Sequence, residues 1–241
     1  MEPPGRERAH ELSRASNACG DAVGWFERLY VEAERGTARV PWDDGAPWPA
    51  LVAWVARRAD EVAGRRTLVV GAGYGYDAVL LARAGARVTA FDVAPRALER
   101  ARSLHPEHAA SIGWEVADLL DPPVAWEGAF DLVVEVNTLQ VLPSTPRARA
   151  LARLPRLLAP GGLLVIGCRL REPEQEPGSM PWPLTAAELD TLDAPAAGGA
   201  TLEPVEASDF LDQEQPPVRR ALRVWRRGAA RADRAGPADP A

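Results

Sequence analysis

Three glycines at every second position are the first residues of this sequence whose spacing suggests chemistry. They are Gly71, Gly73 and Gly75, and they directly follow the apolar, strand-forming run 67–70. Glycine lets the backbone turn sharply and lets a ligand approach the main chain closely. The helix predicted after this turn would present free N–H groups to a polar or anionic group. Strand, glycine turn and helix together predict a site for a nucleotide or nucleoside.

An acid at the end of the next predicted strand strengthens this prediction. The strand covers 87–92 and ends in Asp92, about 20 residues after Gly71, the spacing at which a carboxylate meets the ribose hydroxyls of a bound nucleoside. The dinucleotide pattern G-x-G-x-x-G is incomplete, because Tyr76 stands where its last glycine or alanine would be. An NAD(P)-dependent oxidoreductase is therefore the less favoured interpretation, although the glycine turn and Asp92 keep it open.

The G-x-G-x-G pattern of 71–75, followed by the acid at 92, resembles the class I S-adenosylmethionine (SAM) methyltransferases. Two further segments, P-W-D-x-G-x-P at 41–47 and G-x-G-Y-D-A at 73–78, resemble the thiopurine S-methyltransferase-like branch, which includes thiol, halide and chalcogen methyltransferases. The resemblance covers about 25–227. It implies SAM as the cofactor, S-adenosylhomocysteine (SAH) as the product, and a small-molecule methyl acceptor such as a thiol or another soft nucleophile.

The cofactor contacts implied by this resemblance come from the glycine turn, the ends of the following strands and two aromatic residues. They are Gly71, Gly73, Gly75, Asp77, Asp92, Val93, Asp118, Leu119, Glu135, Trp25 and Trp42. In the family pattern the acid at Asp118 binds the adenine amino group, and the next amide meets the ring. Trp25 and Trp42 are included because an aromatic face attracts a desolvated cation such as a sulfonium by roughly 0.5–2 kcal/mol.

Polar residues after the fourth predicted strand are expected to line the methyl-transfer pocket. Glu135 and Asn137 are the candidate catalytic residues, with Glu135 available as a general base. The candidate substrate contacts are Trp42, Gln140, Arg169 and Trp182. A thiolate needs little help from a base. No N-P-P-Y or D-P-P-Y sequence follows this strand, which argues against amide or adenine N-methylation.

The periodicity of apolar residues predicts the elements that position these side chains. We expect an α/β fold with a Rossmann-like, doubly wound, seven-stranded and mostly parallel sheet, helices on both faces and an antiparallel last strand. The proline-rich loop 169–183 should leave the same sheet edge as a lid. The expected regions are a loosely ordered N-terminus (1–20), a helical cap (21–66), the SAM-binding domain (67–228) and a disordered tail (229–241).

Composition disfavours several other functions. The 241 residues carry a net charge of −6 with interspersed charges, so there is no electrostatic reason to expect nucleic acid or a membrane surface as a partner. No apolar run long enough for a membrane span and no signal sequence are present, which predicts a cytoplasmic protein. Two cysteines and three histidines provide neither a disulfide framework nor a zinc site, so no metal is expected.

One alternative shares every cofactor motif with the enzyme. A catalytically silent SAM-binding protein would keep the glycine turn and the acids, because the acceptor half of the pocket carries the weaker sequence signal. The sequence defines neither the acceptor nor the oligomeric state.

Overall fold

The computed structural model describes residues 5–193 and 201–228. Its centre is a seven-stranded sheet in the order β3-β2-β1-β4-β5-β7-β6. Strands β1 to β5 pair in parallel, and β7 runs antiparallel to both β5 and β6. The strands are β1 (Arg66–Val70), β2 (Arg87–Asp92), β3 (Gly113–Val116), β4 (Phe130–Val136), β5 (Leu158–Arg169), β6 (Leu202–Leu211) and β7 (Arg219–Arg227). The predicted fold class is confirmed.

Helices cover both faces of the sheet. Leu68 and Val70 of β1 belong to one buried cluster, and Val69 between them belongs to a second cluster on the opposite face. This pattern explains the continuous apolar run in β1, since a central parallel strand is buried on both sides. The described helices are α1 (Arg6–Ala18), α2 (Trp25–Glu34), α3 (Pro49–Arg57), α4 (Ala59–Val62), α5 (Tyr76–Arg83), α6 (Pro95–Leu104), α7 (Ser144–Leu157) and α8 (Ala186–Asp190).

The expectation of a loosely ordered segment at 1–20 is wrong for Arg6–Ala18, which form α1. Ala9 and Leu12 of this helix are buried in one cluster with Leu29 of α2, and Arg8 forms an ion pair with Glu32 of α2. Tertiary packing of a short apolar stripe therefore orders a polar segment whose own periodicity is weak. Residues 1–4 and the predicted tail at 229–241 lie outside the described residues.

Gly75 shows why the third glycine of the turn is needed. It precedes α5 with a φ of 84°, a conformation that favours glycine. A Cβ at this position would lie 2.6 Å from the ring of Trp114 in β3 and 3.2 Å from Ala101 in α6. Gly75 therefore permits close packing between the turn, the sheet and α6.

We predict that Gly75→Ala destabilises the fold more than Gly64→Ala does. Gly64 has a similar φ of 75° but open space around its Cα, so its substitution reports the backbone cost alone, about 1–2 kcal/mol. Gly75→Ala should lose a further 1–3 kcal/mol or so, because the methyl group overpacks against Trp114. Urea unfolding of both variants measures the difference; equal losses would contradict the packing role.

Candidate active site

A cavity of about 620 Å³ lies at the carboxyl ends of the parallel strands. Doubly wound sheets bind ligands at this edge, and the volume is in the range of small-molecule and cofactor sites. Its wall includes the turn between β1 and α5 and the residues that follow β2, β3 and β4. Residues of α1, α2, the 41–49 segment and the connection between β6 and β7 complete the wall.

The Asp92 carboxylate connects two main-chain segments on one side of this cavity. Its Oδ2 accepts a hydrogen bond from the Gly73 N–H at 2.8 Å, and its Oδ1 accepts one from the Ala94 N–H at 2.9 Å. Asp92 is buried, and burial raises the pKa of its carboxyl group to about 6. A carboxylate offers about four acceptor positions, so Asp92 holds the glycine turn and retains capacity for a ligand hydroxyl.

Gly71 and Gly73, which are predicted to bind the cofactor, lie in the cavity wall with φ values of 59° and 53°. A Cβ on Gly71 would lie 2.2 Å from Oγ1 of Thr138, and one on Gly73 would lie 3.2 Å from the hydroxyl of Tyr30. The close neighbours therefore leave little room for a side chain at either Gly71 or Gly73. Gly75 does not line the cavity, because it packs beneath Trp114; its predicted ligand contact is not supported.

Asp77 joins the glycine turn to the N-terminal part of the chain. Its Oδ1 accepts a hydrogen bond from the Trp48 N–H at 2.9 Å, and burial raises the pKa of Asp77 to about 6. The Trp48 ring lies against Gly167 of β5, where a Cβ would come within 2.3 Å of it. Asp77 is in the cavity wall as predicted, and it also holds the tryptophan- and proline-rich segment 41–49 in place.

Three further predicted cofactor residues line the cavity together. Val93 follows β2, and Asp118 and Leu119 follow β3. Oδ1 of Asp118 accepts a hydrogen bond from the Leu120 N–H at 2.8 Å, which fixes the carboxylate at the start of the loop. Adenine binding by Asp118 and Leu119 stays a prediction.

The two predicted tryptophans differ in their positions. Trp42 lines the cavity and donates its indole N–H to the Tyr30 hydroxyl at 2.9 Å. Trp25 is fully buried and does not line it; its ring stacks on Phe26 with centroids 3.9 Å apart. The prediction of a ligand contact for Trp25 is therefore wrong. Phe26 and Tyr30 line the cavity in its place, and their spacing of four residues on α2 is a signal that could have identified them.

Glu135 does not occupy its predicted role. It is fully buried outside the cavity wall, and its Oε1 accepts hydrogen bonds from the N–H groups of Thr138 and Leu139 at 2.6 and 2.9 Å. Burial raises the pKa of Glu135 to about 7. The carboxylate therefore shapes the turn after β4 and does not line the cavity. Asn137, with a φ of 65°, does reach the cavity wall.

Of the other predicted substrate residues, Gln140 and Arg169 line the cavity. The Gln140 side-chain oxygen accepts the Arg169 main-chain N–H at 2.7 Å, and the Gln140 carbonyl accepts the Trp182 N–H at 2.7 Å. The Trp182 side chain packs against the buried cluster that contains Val141 and lies outside the wall, which corrects its predicted contact. Met180 of the proline-rich loop does line the cavity. The movement of that loop as a lid stays a prediction.

An ionic cluster in the cavity wall joins the predicted residues Arg169 and Asn137 to Arg220, Asp212 and Glu214, which the sequence analysis did not predict. We call the end of the cavity that contains this cluster the acceptor end. Arg220 of β7 contacts Asp212 at 2.6 Å, Glu214 at 2.6 Å and Asn137 at 3.0 Å. Arg169 contacts the same Glu214 at 2.8 Å. These residues are separated by up to about 80 positions and follow no local periodicity, so only the sheet order brings them together.

Comparisons with known proteins agree with this site. Residues 68–162 match the family described as "Methyltransferase domain". A ubiquinone biosynthesis O-methyltransferase from Xanthomonas oryzae pv. oryzae is 33% identical over 160 residues, which is 63% of this chain and 65% of that protein. The chain thus matches slightly less than two thirds of this relative's length.

Two solved structures share the fold over most of their length. The N-methyltransferase NodS from Bradyrhizobium japonicum WM9, in complex with SAH, aligns with a TM-score of 0.61 at 25% identity, covering 83% of this chain and 98% of that one. A structure on the conversion of a disulfide bond into a thioacetal group during echinomycin biosynthesis aligns with a TM-score of 0.65 at 25% identity, covering 84% and 93%.

The domain match, the relative and the two structures are thus all similarities to methyltransferases or to their fold. Residues 68–162 contain the glycine turn, Asp92, Asp118 and Asn137. Within residues 5–193 and 201–228, no group of three or more acidic, histidine or cysteine side chains is arranged to hold a metal ion. No helix in the same ranges is long and apolar enough to span a membrane.

Glu135→Gln should flatten the pH dependence of stability. Because burial raises the pKa of Glu135 from 4.5 to about 7, the folded state retains a proton that the unfolded state has released between these values. The free energy of unfolding therefore falls as pH rises from about 5 to 7. Glutamine does not titrate, so the fall across this range should be smaller by about 1–3 kcal/mol.

Denaturant unfolding at pH 5, 6, 7 and 8 measures this change for the wild type and the variant. Asp77 and Asp92 titrate in the same range in both proteins, so the difference between the two curves isolates Glu135. Superimposable curves would contradict the buried, structural role of this carboxylate.

Proposed function

We propose that this chain is a SAM-dependent methyltransferase that transfers a methyl group to a small-molecule acceptor. The observation that carries the proposal is the buried Asp92 carboxylate, bonded to the Gly73 N–H in the wall of a cavity at the carboxyl edge of the sheet. The match of residues 68–162 to a methyltransferase domain supports it independently. An NAD(P) oxidoreductase has neither this match nor the complete glycine pattern in its favour.

The residues of the cavity fit a nucleoside cofactor. Side chains are excluded from Gly71 and Gly73 by their close neighbours, which leaves bare backbone facing the cavity. In this proposal Asp92 binds the ribose hydroxyls, and Asp118 with Leu119 binds the adenine. Trp42 and Tyr30 lie on the wall beside Gly73 and would face the sulfonium end. Bound SAM supplies a methyl group that the sulfonium already activates.

The task of the protein is then to align the acceptor with the methyl group and exclude water. Helix α1 contributes Arg6 and His10 to the wall, and the His10 ring nitrogen bonds to the carbonyl of Met180 in the proline-rich loop. The N-terminal helix and that loop thus meet over the acceptor end. Both would limit the access of solvent to the reacting atoms.

We propose a soft nucleophile, such as a thiol, as the acceptor. The support is the burial of Glu135, which removes the predicted general base from the cavity, together with the P-W-D-x-G-x-P segment whose Trp42 lines the wall. A thiolate tolerates the lack of a dedicated base better than a hydroxyl does. A hydroxyl is the second candidate, since the Xanthomonas relative is named as an O-methyltransferase. A cytoplasmic location, without nucleic-acid or membrane partners, is part of the same proposal.

Asp92→Ala should weaken SAH binding by about 1–3 kcal/mol, or roughly 5- to 150-fold in Kd, because charge-assisted hydrogen bonds to the ribose are lost. Isothermal titration calorimetry measures the affinity, and thermal unfolding checks that the variant is folded. Asp131→Ala is the matched control, since this carboxylate pairs with Arg66 at the opposite edge of the sheet. Unchanged SAH affinity in folded Asp92→Ala would exclude Asp92 from the ribose site.

Turnover separates an enzyme from a silent SAM-binding protein. We expect SAH release from SAM in the presence of thiols from a panel that also contains phenols, amines and halides, because Glu135, the predicted base, lies outside the cavity wall. Release with phenols alone would contradict the soft-acceptor proposal and favour O-methylation. Tight SAH binding without turnover on any member of the panel would favour the silent binder.

A further inference from the structure

The ionic cluster at the acceptor end has an unusual composition. Three arginines from three separate elements converge on the single carboxylate of Glu214: Arg6 of α1 at 3.5 Å, Arg169 of β5 at 2.8 Å and Arg220 of β7 at 2.6 Å. Asp212 takes a second contact from Arg220 at 2.6 Å. All five side chains belong to residues that line the cavity.

Burial is distributed unevenly within this cluster. The side chains of Arg169 and Arg220 are only 12% and 9% exposed, whereas that of Glu214 is 36% exposed. Nε of Arg169 is buried and has no hydrogen-bond partner. Arg169 and Arg220 are therefore held in the wall, and the carboxylate that they bind is more accessible to solvent than they are.

Such an arrangement favours exchange of the anion. A buried guanidinium group without an anion is unfavourable. The guanidinium groups of Arg169 and Arg220 present planar sets of N–H donors that match an oxyanion. Because 36% of the Glu214 side chain is exposed, its carboxylate can return to water when a ligand oxyanion takes its place, and no buried guanidinium group is then left unpaired. The loop itself would stay in place, because Oδ1 of Asp212 accepts the N–H groups of Glu214 and Val218.

We propose that the methyl acceptor carries a carboxylate or a comparable oxyanion, which binds Arg169 and Arg220 in the position that Glu214 occupies. Asp212 remains paired with Arg220, and Asp44 is the other acid of the wall near the pair. The aromatic side chains of Phe26 and Trp42 offer the remainder of the acceptor an apolar wall. This inference rests on the proposed methyltransferase function, since it assigns the substrate class of the same cavity.

Matched pairs of carboxylate and carboxamide probes test the inference on SAH-saturated protein. The pairs are benzoate with benzamide, 3,4-dihydroxybenzoate with its amide, and 3-mercaptopropionate with its amide. Each pair has nearly constant size and differs in charge. Calorimetry should show at least tenfold tighter binding of the carboxylate in one pair or more, and competition between the carboxylates. Equal affinities within every pair, or no binding of any carboxylate, would overturn the proposal.

Two variants distinguish a ligand site from a purely structural ion network. Glu214→Gln removes the internal competitor, so the carboxylate member should gain affinity several-fold relative to its amide. Arg169→Gln should abolish the preference for the carboxylate. Arg219→Gln is the matched control, because Arg219 is the neighbour of Arg220 on β7, pairs with Asp209 and lies outside the cavity wall. A structural role predicts instead that Glu214→Gln weakens both members alike.

The SAH affinity of each variant separates this inference from the proposed function. Wild-type protein that does not bind SAH would contradict the methyltransferase proposal itself. Normal SAH binding without a carboxylate preference would overturn the acceptor inference alone. If Arg169→Gln weakens SAH and leaves the probe preference intact, the arginine pair serves the cofactor, and the inference is wrong.

Discussion

The arrangement of the whole cavity depends on the placement of one buried carboxylate at the end of β2. Asp92 accepts hydrogen bonds from the main chain on both sides, from Gly73 in the glycine turn and from Ala94 before α6. Burial disfavours the ionised form of this acid, so the pKa of Asp92 rises to about 6. The fold retains it because the same oxygens both hold the turn open and face the cavity. The side chain that the proposal assigns to the ribose thus also holds the glycine turn.

A second constraint connects the N-terminal third of the chain to this centre. The Asp77 carboxylate holds the Trp48 main chain, and the Trp48 ring occupies the space that Gly167 leaves on β5. These contacts fix the segment 41–49 across the carboxyl edge of the sheet and place Trp42 in the cavity wall. Helices α1 and α2 close the same side. The end of the cavity proposed for the cofactor is built from local turns of the central sheet, and the end proposed for the acceptor is built from distant segments.

This division explains how much could be predicted from the sequence. The sheet, the glycine turn, Asp92 and Asp118 follow from local patterns, because a strand end and the turn after it position their own side chains. The direction in which a side chain points from a helix or a strand end also depends on packing against other segments. Trp25 lies on the inner side of α2, and Glu135 turns back onto the backbone of Thr138. The arginine cluster depends on the order of β5, β7 and β6, which no short motif encodes. The sequence predicted Arg169 and Asn137 singly as site residues, but their contacts with Arg220 and Glu214 became visible only in three dimensions.

A crystal structure of the protein in complex with SAH tests the account most directly. The account predicts that both ribose hydroxyls lie within about 3 Å of the Asp92 carboxylate, that the adenine lies beside Asp118 and Leu119, and that the sulfur atom points toward the end of the cavity that contains Arg169 and Arg220. An SAH molecule bound elsewhere, or one bound here with its ribose away from Asp92, would contradict it.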